Sequence, residues 1–349
     1  MLKIPWRKYL LATLILSGAV AFIVGGQMIN SQKPAPPAPL SGWKILRPPS
    51  EVSALVEQGE IIWAGGRDGV FALDRETGAL IEQIESEVPL EYVRALLLDD
   101  RGALWVGHSA GLTRYDGSVW LTYTKEDGLP DQRIDVLLQD QNGRIWVGTK
   151  NGAAVQDDQG WRILTSENGL LHNSVSVILQ DNEGGMWFGS YAAPRGGLSY
   201  LQDGAWQHFS TKNGLPHNNV NALLEDSSGS VWVGTGLLDR GGACQLIRKE
   251  NGWVVSRVLT EHDGLAGAKV RSIFQDREGV LWFGSEYDGL ARFDGETWLV
   301  FSQADGLAAS EVKTMLQDKD GNLWLGTING VTRITAAALA AMRFDPSSK

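Results

Sequence analysis

The chain has 349 residues, of which 43% are apolar and 21% charged, a composition typical of a folded globular protein and not of a disordered one. Its formal net charge of −10 disfavours contact with phosphate backbones, so nucleic acid is excluded as an expected partner. The single cysteine, Cys244, excludes an intrachain disulfide framework, and 42 glycines with 14 tryptophans indicate many turns and one aromatic residue reused at equivalent places.

The N-terminal segment, residues 1–30, has the pattern of a membrane anchor that follows a short cytoplasmic stub. A run of 20 uncharged residues extends from Leu10 to Ile29. As a helix, such a run would span about 30 Å, the thickness of a bilayer's hydrocarbon core. Basic residues precede the run, which places the N-terminus in the cytoplasm and the rest of the chain in the periplasm or outside the cell. We therefore predict one transmembrane helix in contact with membrane lipid.

A cleaved signal peptide is the alternative for this segment, because Ala19–Ala21 offers a small-residue cleavage site. The apolar run continues past that site through Phe22–Val24, which favours a retained anchor. Residues 31–41 (SQKPAPPAPLS) are rich in proline, and they predict a stiff linker between the membrane and the following domain.

The segment from residue 42 to residue 335 repeats one unit seven times. The pattern Trp-x-Gly recurs at intervals of 42, 41, 41, 45, 50 and 42 residues, each close to the length of one four-stranded propeller blade. These repeats predict an all-β fold, a seven-bladed β-propeller. The tryptophans that mark the repeats are Trp63, Trp105, Trp146, Trp187, Trp232, Trp282 and Trp324.

The third copy shows the four strands expected in each blade. They are an apolar first strand at Ile134–Gln139, a second at Arg144–Thr149, a third at Gly152–Gln156 and a fourth at Trp161–Leu164. Glycine or Asn-Gly between the strands supplies the positive φ that hairpin turns need.

The two ends of the repeat region are complementary. The seventh copy stops after its third strand, Gly330–Ile334, and an additional tryptophan, Trp43, precedes the first copy. We therefore predict that Trp43–Leu46 forms the outer strand of the last blade and closes the ring, which removes an unpaired sheet edge. Residues 336–349 form a tail, and a helical pattern is found only in the alanine-rich stretch Thr335–Met342.

Several repeated polar and aromatic residues are interpreted as structural. Each turn aspartate stands three residues before a glycine, and one such turn offers too few oxygens for Ca²⁺, so we expect it to accept backbone N–H bonds. The fourth-strand tryptophans are expected to pack between blades, and the [D/N]-Gly-Leu links to form turns. The six aspartates are Asp99, Asp140, Asp181, Asp226, Asp276 and Asp318.

Copies such as VLLQDQNGRIWVGT and MLQDKDGNLWLGTINGVTRI resemble the two-component regulator propeller repeat. The resemblance covers about residues 42–334 and implies an extracytoplasmic propeller of the kind found in bacterial sensors. Many such propellers precede a transmembrane helix and a histidine kinase, and some bind carbohydrate. No kinase or receiver pattern follows the repeats in this sequence, so we expect any signalling or assembly role to need another protein.

The candidate binding residues lie where loops interrupt the repeat. The loop between strands two and three shares a face of the blade with the link to the next blade, and it is longest at Ser190–Gly197 and Thr235–Ala243. Aromatic, charged and amide groups at a concave mouth would suit a polar ligand or a protein loop, whereas solvated loops without a ligand are the alternative. The predicted site comprises Tyr191, Arg195, Asp239, Arg240, Glu286, Tyr287, His172, His217, Asn173 and Asn218.

An enzyme is the disfavoured interpretation. Gly107–Gly111 matches Gly-x-Ser-x-Gly, but the segment is in register with the other repeats and no helix follows it. His172 and His217 would suit a metal-dependent propeller lyase or hydrolase, but neither has an acidic third ligand at its repeat position. We therefore expect a recognition protein with no catalytic residue, cofactor or metal.

Two recognition roles remain open. The first is an accessory subunit that docks a protein partner or a membrane complex. The second is a receptor for a carbohydrate or another small polar ligand that reports to a separate kinase.

Overall fold

The computed structural model describes residues 40–342, which form a seven-bladed β-propeller with four-stranded antiparallel blades. The predicted anchor at residues 1–30 and most of the linker at residues 31–41 lie outside the described residues. Within residues 40–342, no helix has the length and apolar character needed to cross a membrane.

Each blade follows the chain from an inner first strand, which contacts the first strands of its neighbours, to an outer fourth strand. The strands of blades one to four are β2 (Ala54–Gln58), β3 (Ile61–Gly66), β4 (Gly69–Asp74), β5 (Leu80–Gln83), β6 (Ala95–Leu98), β7 (Leu104–His108), β8 (Gly111–Tyr115), β9 (Trp120–Tyr123), β10 (Ile134–Gln139), β11 (Ile145–Thr149), β12 (Gly152–Asp157), β13 (Gly160–Leu164), β14 (Val175–Gln180), β15 (Met186–Ser190), β16 (Leu198–Gln202) and β17 (Ala205–Phe209).

Blades five to seven continue the same order, and one short helix, α1 (Ala336–Ala341), follows the last strand. The remaining strands are β18 (Val220–Glu225), β19 (Val231–Leu237), β20 (Arg240–Lys249), β21 (Gly252–Leu259), β22 (Val270–Gln275), β23 (Leu281–Ser285), β24 (Leu290–Phe293), β25 (Trp298–Phe301), β26 (Val312–Gln317), β27 (Leu323–Thr327), β28 (Gly330–Ile334) and the N-terminal β1 (Trp43–Leu46).

The ring closes through β1, which is the outer strand of the seventh blade. It pairs antiparallel with β28, so that Trp43 lies opposite Ile334 and Leu46 opposite Val331. Trp43 is buried and packs on Phe301 of the sixth blade at a ring-centroid distance of 5.3 Å. The prediction of closure by the N-terminal strand is confirmed.

The core consists of apolar layers between neighbouring blades. The second strands β7, β11, β15, β23 and β27 are buried along their whole length because both of their faces pack against other blades. Trp187 on β15, for example, meets Trp253 of the next blade with ring centroids 5.0 Å apart. The tryptophans are therefore packing residues, as the repeat pattern predicts.

The turn aspartates tie the first turn of each blade to this core. Oδ1 of Asp181 accepts the N–H groups of Glu183 at 3.2 Å and Gly185 at 2.7 Å, and Oδ2 accepts the indole N–H of Trp187 at 2.9 Å. In blade one, Gln58 takes the place of the aspartate and accepts from Trp63 at 2.8 Å. The predicted backbone bonds are confirmed, and the bond to the tryptophan is an addition that the sequence did not reveal.

The links between blades are capped turns. Thr124 precedes a one-turn 3-10 helix, and Asp127 accepts its backbone N–H at 2.8 Å. Gly128 then adopts φ 102°, a left-handed conformation that favours glycine, and Leu129 enters the core with 3% exposure. The [D/N]-Gly-Leu motif is therefore structural, as predicted.

Candidate functional site

A cavity of about 550 Å³ opens on the axis of the ring, and all seven blades contribute to its wall. The wall includes Lys150, Tyr191 and Glu286, which follow the second strands of their blades. The cavity therefore opens at the face that carries the loops between second and third strands and the links between blades. We call this face the loop face and the space the channel cavity.

The deepest layer of the wall is an inner ring of polar residues, one at the start of each blade's first strand. In blades three to seven this residue is skipped in the pairing between the first and second strands, which is the geometry of a β-bulge. A bulge re-aims its side chain, here towards the axis. The inner ring comprises Ser53, Arg94, Asp135, Ser176, Asn221, Arg271 and Lys313.

The wall of the channel cavity is rich in positive charge. It contains six cationic side chains and three carboxylates, although the whole chain carries a net charge of −10. A cleft lined by one sign of charge focuses the field and attracts the opposite sign. The cations are Arg94, Arg133, Lys150, Lys269, Arg271 and Lys313.

Between blades two and three, two arginines share one carboxylate, and a third cation lines the same part of the wall. Arg133 contacts Oδ1 of Asp135 through Nη2 at 2.7 Å, and Arg94 approaches the same oxygen through Nε at 3.5 Å. Lys150 is exposed and makes no ion pair with any described residue. Burial lowers the pKa of Arg94, and the charge of Arg133 lowers it further. This sector therefore has an excess of positive charge that Asp135 does not balance.

From blade six through blade seven to the start of blade one, the charges are balanced. Lys313 forms an ion pair with Glu51 at 2.5 Å, and Nε of Arg271 lies 3.4 Å from Glu311. Burial raises the pKa of Glu311, and the nearby charges of Lys313 and Arg271 only partly offset that rise.

An aromatic cluster stands at the edge of the cavity beside this sector. Lys269, whose side chain is 5% exposed, forms an ion pair with Glu286 and donates to the hydroxyl of Tyr191 at 3.3 Å. Burial raises the pKa of Glu286, but hydrogen bonds from Lys269 and Tyr287 outweigh it, and the pKa is lowered. The hydrogen bond to Glu286 raises the pKa of Tyr287 to about 12.

Blades four and five contribute neutral polar groups. Ser176 donates to the carbonyl of Val220 at 2.7 Å, and Nδ2 of Asn221 donates to the carbonyl of Val270 at 3.0 Å. Oδ1 of Asn221 and Nε of Arg271 are buried polar atoms without a hydrogen-bond partner among the described residues. Asn221 therefore offers an acceptor without a partner, whereas Nε of Arg271 has only its ion pair with Glu311.

The structure brings only part of the sequence-predicted site to the cavity. Tyr191 and Glu286 line it, and Tyr287 joins them through its hydrogen bond to Glu286. Arg195 is exposed on the loop after β15, close enough to His172 that its charge lowers the pKa of that histidine, second to burial.

The histidine and asparagine pairs after the links stabilise turns. Nδ1 of His172 accepts the N–H of Ser174, and Nδ1 of His217 accepts the N–H of Asn219, both at 3.0 Å. Neither histidine lines the channel cavity.

The neighbouring asparagines make equivalent bonds in blades four and five. Oδ1 of Asn173 accepts from the backbone of Ser166 at 2.7 Å, and Oδ1 of Asn218 accepts from that of Thr211 at 2.8 Å. These contacts fix the course of the links.

The prediction of a loop at Thr235–Ala243 is wrong. β19 and β20 continue as paired strands up to Leu237 and Arg240, so that Leu238 and Asp239 alone form the turn. Gly236, Gly241 and Gly242 permit this extension because each adopts a positive φ where backbone of the same blade lies within 3 Å of a would-be Cβ. Asp239 and Arg240 are exposed at the hairpin tip.

The inner ring was missed by reasoning from the sequence. Its signal is present, because each first strand has one polar residue directly after a buried valine or isoleucine, as in Ile134-Asp135 and Val220-Asn221. That residue differs in charge between repeats, while the position before it is always valine or isoleucine. Comparison of the seven copies at this single position would have found it.

The Gly-x-Ser-x-Gly segment is a hairpin turn between β7 and β8. Ser109 donates to the carbonyl of Glu91 at 3.2 Å, and the neighbouring His108 is fully buried with Nε2 2.9 Å from the hydroxyl of Thr113. Burial lowers the pKa of His108 to about 4. The strained strand-to-helix turn of a nucleophile elbow is not found there.

Among residues 40–342, no group of three or more histidine, cysteine, aspartate or glutamate side chains is arranged to hold a metal ion. The turn aspartates use their oxygens on backbone and indole N–H groups, for example Asp140 on Trp146 at 2.8 Å. Cys244 is buried, and burial raises the pKa of its thiol to about 12.

Five segments of the chain match the family described as "Two component regulator propeller". The chain therefore carries repeats of this type, which confirms the resemblance seen in the sequence. No curated protein matches the chain. The matched segments are residues 128–151, 169–192, 214–236, 264–287 and 306–329.

Solved structures of several propellers are similar to this chain. The extracellular domain of a hybrid two component system from B. thetaiotaomicron is 21% identical with a TM-score of 0.74, and the match covers 87% of this chain and 42% of that one. This chain thus spans less than half of that domain's length. Virginiamycin B lyase from Staphylococcus aureus is 15% identical with a TM-score of 0.63, and the match covers 84% of this chain and 98% of the lyase.

A third similar structure is described as YCF48 bound to D1 peptide. It is 12% identical with a TM-score of 0.62, and the match covers 86% of this chain and 99% of that one. At these identities the similarity shows the fold alone, and the three proteins differ in what their names say they do.

Proposed function

We propose that this chain is a recognition propeller that its N-terminal segment holds at the outer side of a bacterial membrane. It captures its ligand or partner at the loop face and acts as an accessory subunit or a sensor-like module. The observation that carries the proposal is the channel cavity, which is walled by all seven blades and has the opposite charge to the chain as a whole. The residues that form the scaffold repeat from blade to blade, whereas the residues of the cavity wall do not. This pattern is expected where a binding site varies on a constant fold.

Exposed apolar side chains on the loop face support a protein partner. Tyr92, Tyr191, Leu238, Tyr287 and Ile328 are each at least 40% exposed and lie on links or on loops between second and third strands. On the opposite face of the described propeller, the turns between first and second strands carry no large exposed apolar residue, and Val119 is exposed in a turn between third and fourth strands. Aromatic residues around a polar centre are typical of surfaces that bind another protein.

The alternative is a ligand-sensing component of a two-component system with a separate kinase. The repeats and the polar cavity favour it, since the similar domain from B. thetaiotaomicron is described as part of such a system. A propeller lyase or hydrolase is less favoured because His172 and His217 each use a ring nitrogen in a turn and neither lines the cavity.

Native purification tests the proposal. Full-length protein is extracted from membranes in a mild detergent, and copurifying proteins are identified by mass spectrometry. We expect a stoichiometric partner that is lost from the double variant Leu238→Ser/Tyr287→Ser. Ile163→Ser, at an exposed position of the outer strand β13, is the matched control and should retain the partner.

The outcomes separate the candidate roles. A copurifying kinase would favour the sensor alternative. Capture that both variants retain equally would exclude the loop face, and a protein that stays in the soluble fraction would exclude the anchor.

A further inference from the structure

We infer that the channel cavity binds a small organic anion with one acidic group, held between blades two and three, and with hydroxyl groups that reach blades four to six. The inference rests on the proposed function, because it names the class of ligand for the same loop face. The cavity volume of about 550 Å³ lies within the range of small-molecule sites and is too small for a folded element.

The position of the acidic group follows from the charge excess around Asp135. Arg94 and Arg133 both turn towards this carboxylate, yet their side chains remain 41% and 34% exposed, so donors of both are free for a ligand. Lys150 adds a third cation at the same edge of the cavity. Guanidinium groups bind carboxylates through paired N–H bonds, and a ligand anion would also relieve the repulsion between the two arginines.

The opposite side of the cavity limits the ligand to one acidic group. There the cations are matched by carboxylates, and Glu286 and Glu311 both face the cavity. A second anionic group at that side would meet these carboxylates and would be repelled. A ligand with several acidic groups is therefore disfavoured.

The hydroxyl groups are inferred from one unpartnered acceptor and the neutral polar side chains around it. Nδ2 of Asn221 donates to the carbonyls of Val270 and Gly236, which fixes the orientation of the amide and leaves Oδ1 as a free acceptor. Ser174, Ser176 and Tyr191 are further neutral polar side chains of the wall on this side. A hydroxyl both donates and accepts, so it pairs with Oδ1 of Asn221 and with the serine hydroxyls of this side, whereas an alkyl chain leaves Oδ1 of Asn221 unpaired.

Calorimetric titration of the full-length chain in detergent micelles tests the inference with four probes. Gluconate and glucuronate carry one carboxylate on a hydroxylated chain, sorbitol has the hydroxyls without the acid, and acetate has the acid without the hydroxyls. We expect at least one of the two hydroxy acids to bind about tenfold more tightly than sorbitol and acetate, because the acid gains charge-assisted hydrogen bonds.

Variants then locate the two ends of the ligand. Arg94→Gln and Lys150→Gln should each weaken binding of the hydroxy acid by about tenfold, and Lys150 is exposed, so its replacement leaves the fold intact. Asn221→Ala should bring the affinity of the hydroxy acid down towards that of acetate. Arg162→Gln, on the outer strand β13, removes the same kind of charge away from the cavity and should change nothing.

Three results would overturn the inference. The first is that neither hydroxy acid binds, the second that sorbitol binds as well as the acids, and the third that Lys150→Gln has no effect. Tighter binding of a glutamate-rich peptide than of either acid would assign the cavity to a protein partner instead. The proposed function fails separately, since partner capture depends on Leu238 and Tyr287 and is measured without any of these probes.

Discussion

The indole nitrogen of Trp187 donates a hydrogen bond of 2.9 Å to the carboxylate of Asp181, and both side chains are buried. Six blades have this pair, and in each the same carboxylate accepts backbone N–H groups of its own turn, so one residue joins the turn to the layer between blades. The aspartate therefore contributes more to the stability of the propeller than an ordinary turn residue between first and second strands would.

Replacement of Asp181 by alanine should destabilise the propeller. The substitution leaves the N–H groups of Trp187, Glu183 and Gly185 without their acceptor inside the protein. A buried donor left unpaired costs about 1–3 kcal/mol, so we expect the free energy of unfolding to fall by about 2–4 kcal/mol in total. Urea unfolding followed by tryptophan fluorescence measures this. Asp158→Ala, at an exposed turn position, is the control, and equal costs for the two variants would contradict the explanation.

Two buried tryptophans separate the hydrogen bond from the packing. Nε1 of Trp232 donates to Asp226 at 2.7 Å, whereas Nε1 of Trp43 is buried without a partner. Trp232→Phe leaves an oxygen of Asp226 unpaired, but Trp43→Phe removes an unsatisfied donor and loses only apolar contact. We expect Trp232→Phe to cost about 1–3 kcal/mol more in the free energy of unfolding. Denaturation of both variants under the same condition measures this difference. A larger loss of unfolding free energy for Trp43→Phe than for Trp232→Phe would contradict the explanation.

The fold was predictable because the sequence pattern that specifies one blade recurs seven times in the chain. Trp-x-Gly at a fixed interval gives the number of blades, and the unmatched Trp43 gives the closing strand. The candidate site was harder to predict, because Asp135 and Asn221 each occupy a single position next to the apolar middle of a first strand. Their charge and hydrogen-bonding capacity combine only where seven first strands meet on the axis, and no single repeat contains that arrangement.

Differences in loop length between the repeats predict only part of the site. They directed attention to Tyr191 and Glu286, which do line the cavity, but also to Asn173 and Asn218, whose side chains hold turns. The number of residues between two predicted strands does not distinguish a loop from an extended hairpin. The sequence therefore predicts a loop around Asp239, where the structure has a hairpin. The pairing of β19 with β20 depends on the backbone course, which periodicity does not specify.

The acid sensitivity of the fold should include a contribution from His108. Burial lowers its pKa to about 4 in the folded chain, against 6.5 for an unperturbed histidine, so the unfolded chain takes up the proton first as pH falls. The stabilising contribution of neutral His108 is therefore complete above about pH 6.5. As pH falls from about 6.5 to about 4, the free energy of unfolding decreases by about 3 kcal/mol at most.

His108→Thr tests this, because blade three has Thr149 at the same position of its second strand, with its hydroxyl donating to Gly152 at 2.8 Å. The free energy of unfolding, measured at pH 7 and pH 5, should change less with pH in this variant than in the original chain. His262→Thr, at an exposed position, is the matched control for the substitution itself. An unchanged slope in His108→Thr would show that the histidine does not titrate with unfolding.

The glycine of Trp-x-Gly is required by the distance between blades, and a coupled pair of substitutions can show it. A Cβ on Gly189 would lie 2.6 Å from side-chain carbons of both Val177 and Val220, the latter in the next blade, so Gly189→Ala forces the blades apart. We expect a cost of about 1–3 kcal/mol in the free energy of unfolding.

Val220→Ala alone should also destabilise the propeller, because Val220 is fully buried, but it removes one of the two groups that clash with the new Cβ. The double variant should therefore be more stable than the sum of the single losses by about 0.5–3 kcal/mol, a coupling that urea unfolding of all four chains measures. Strict additivity would mean that the repeated glycine serves the local strand and not the contact between blades.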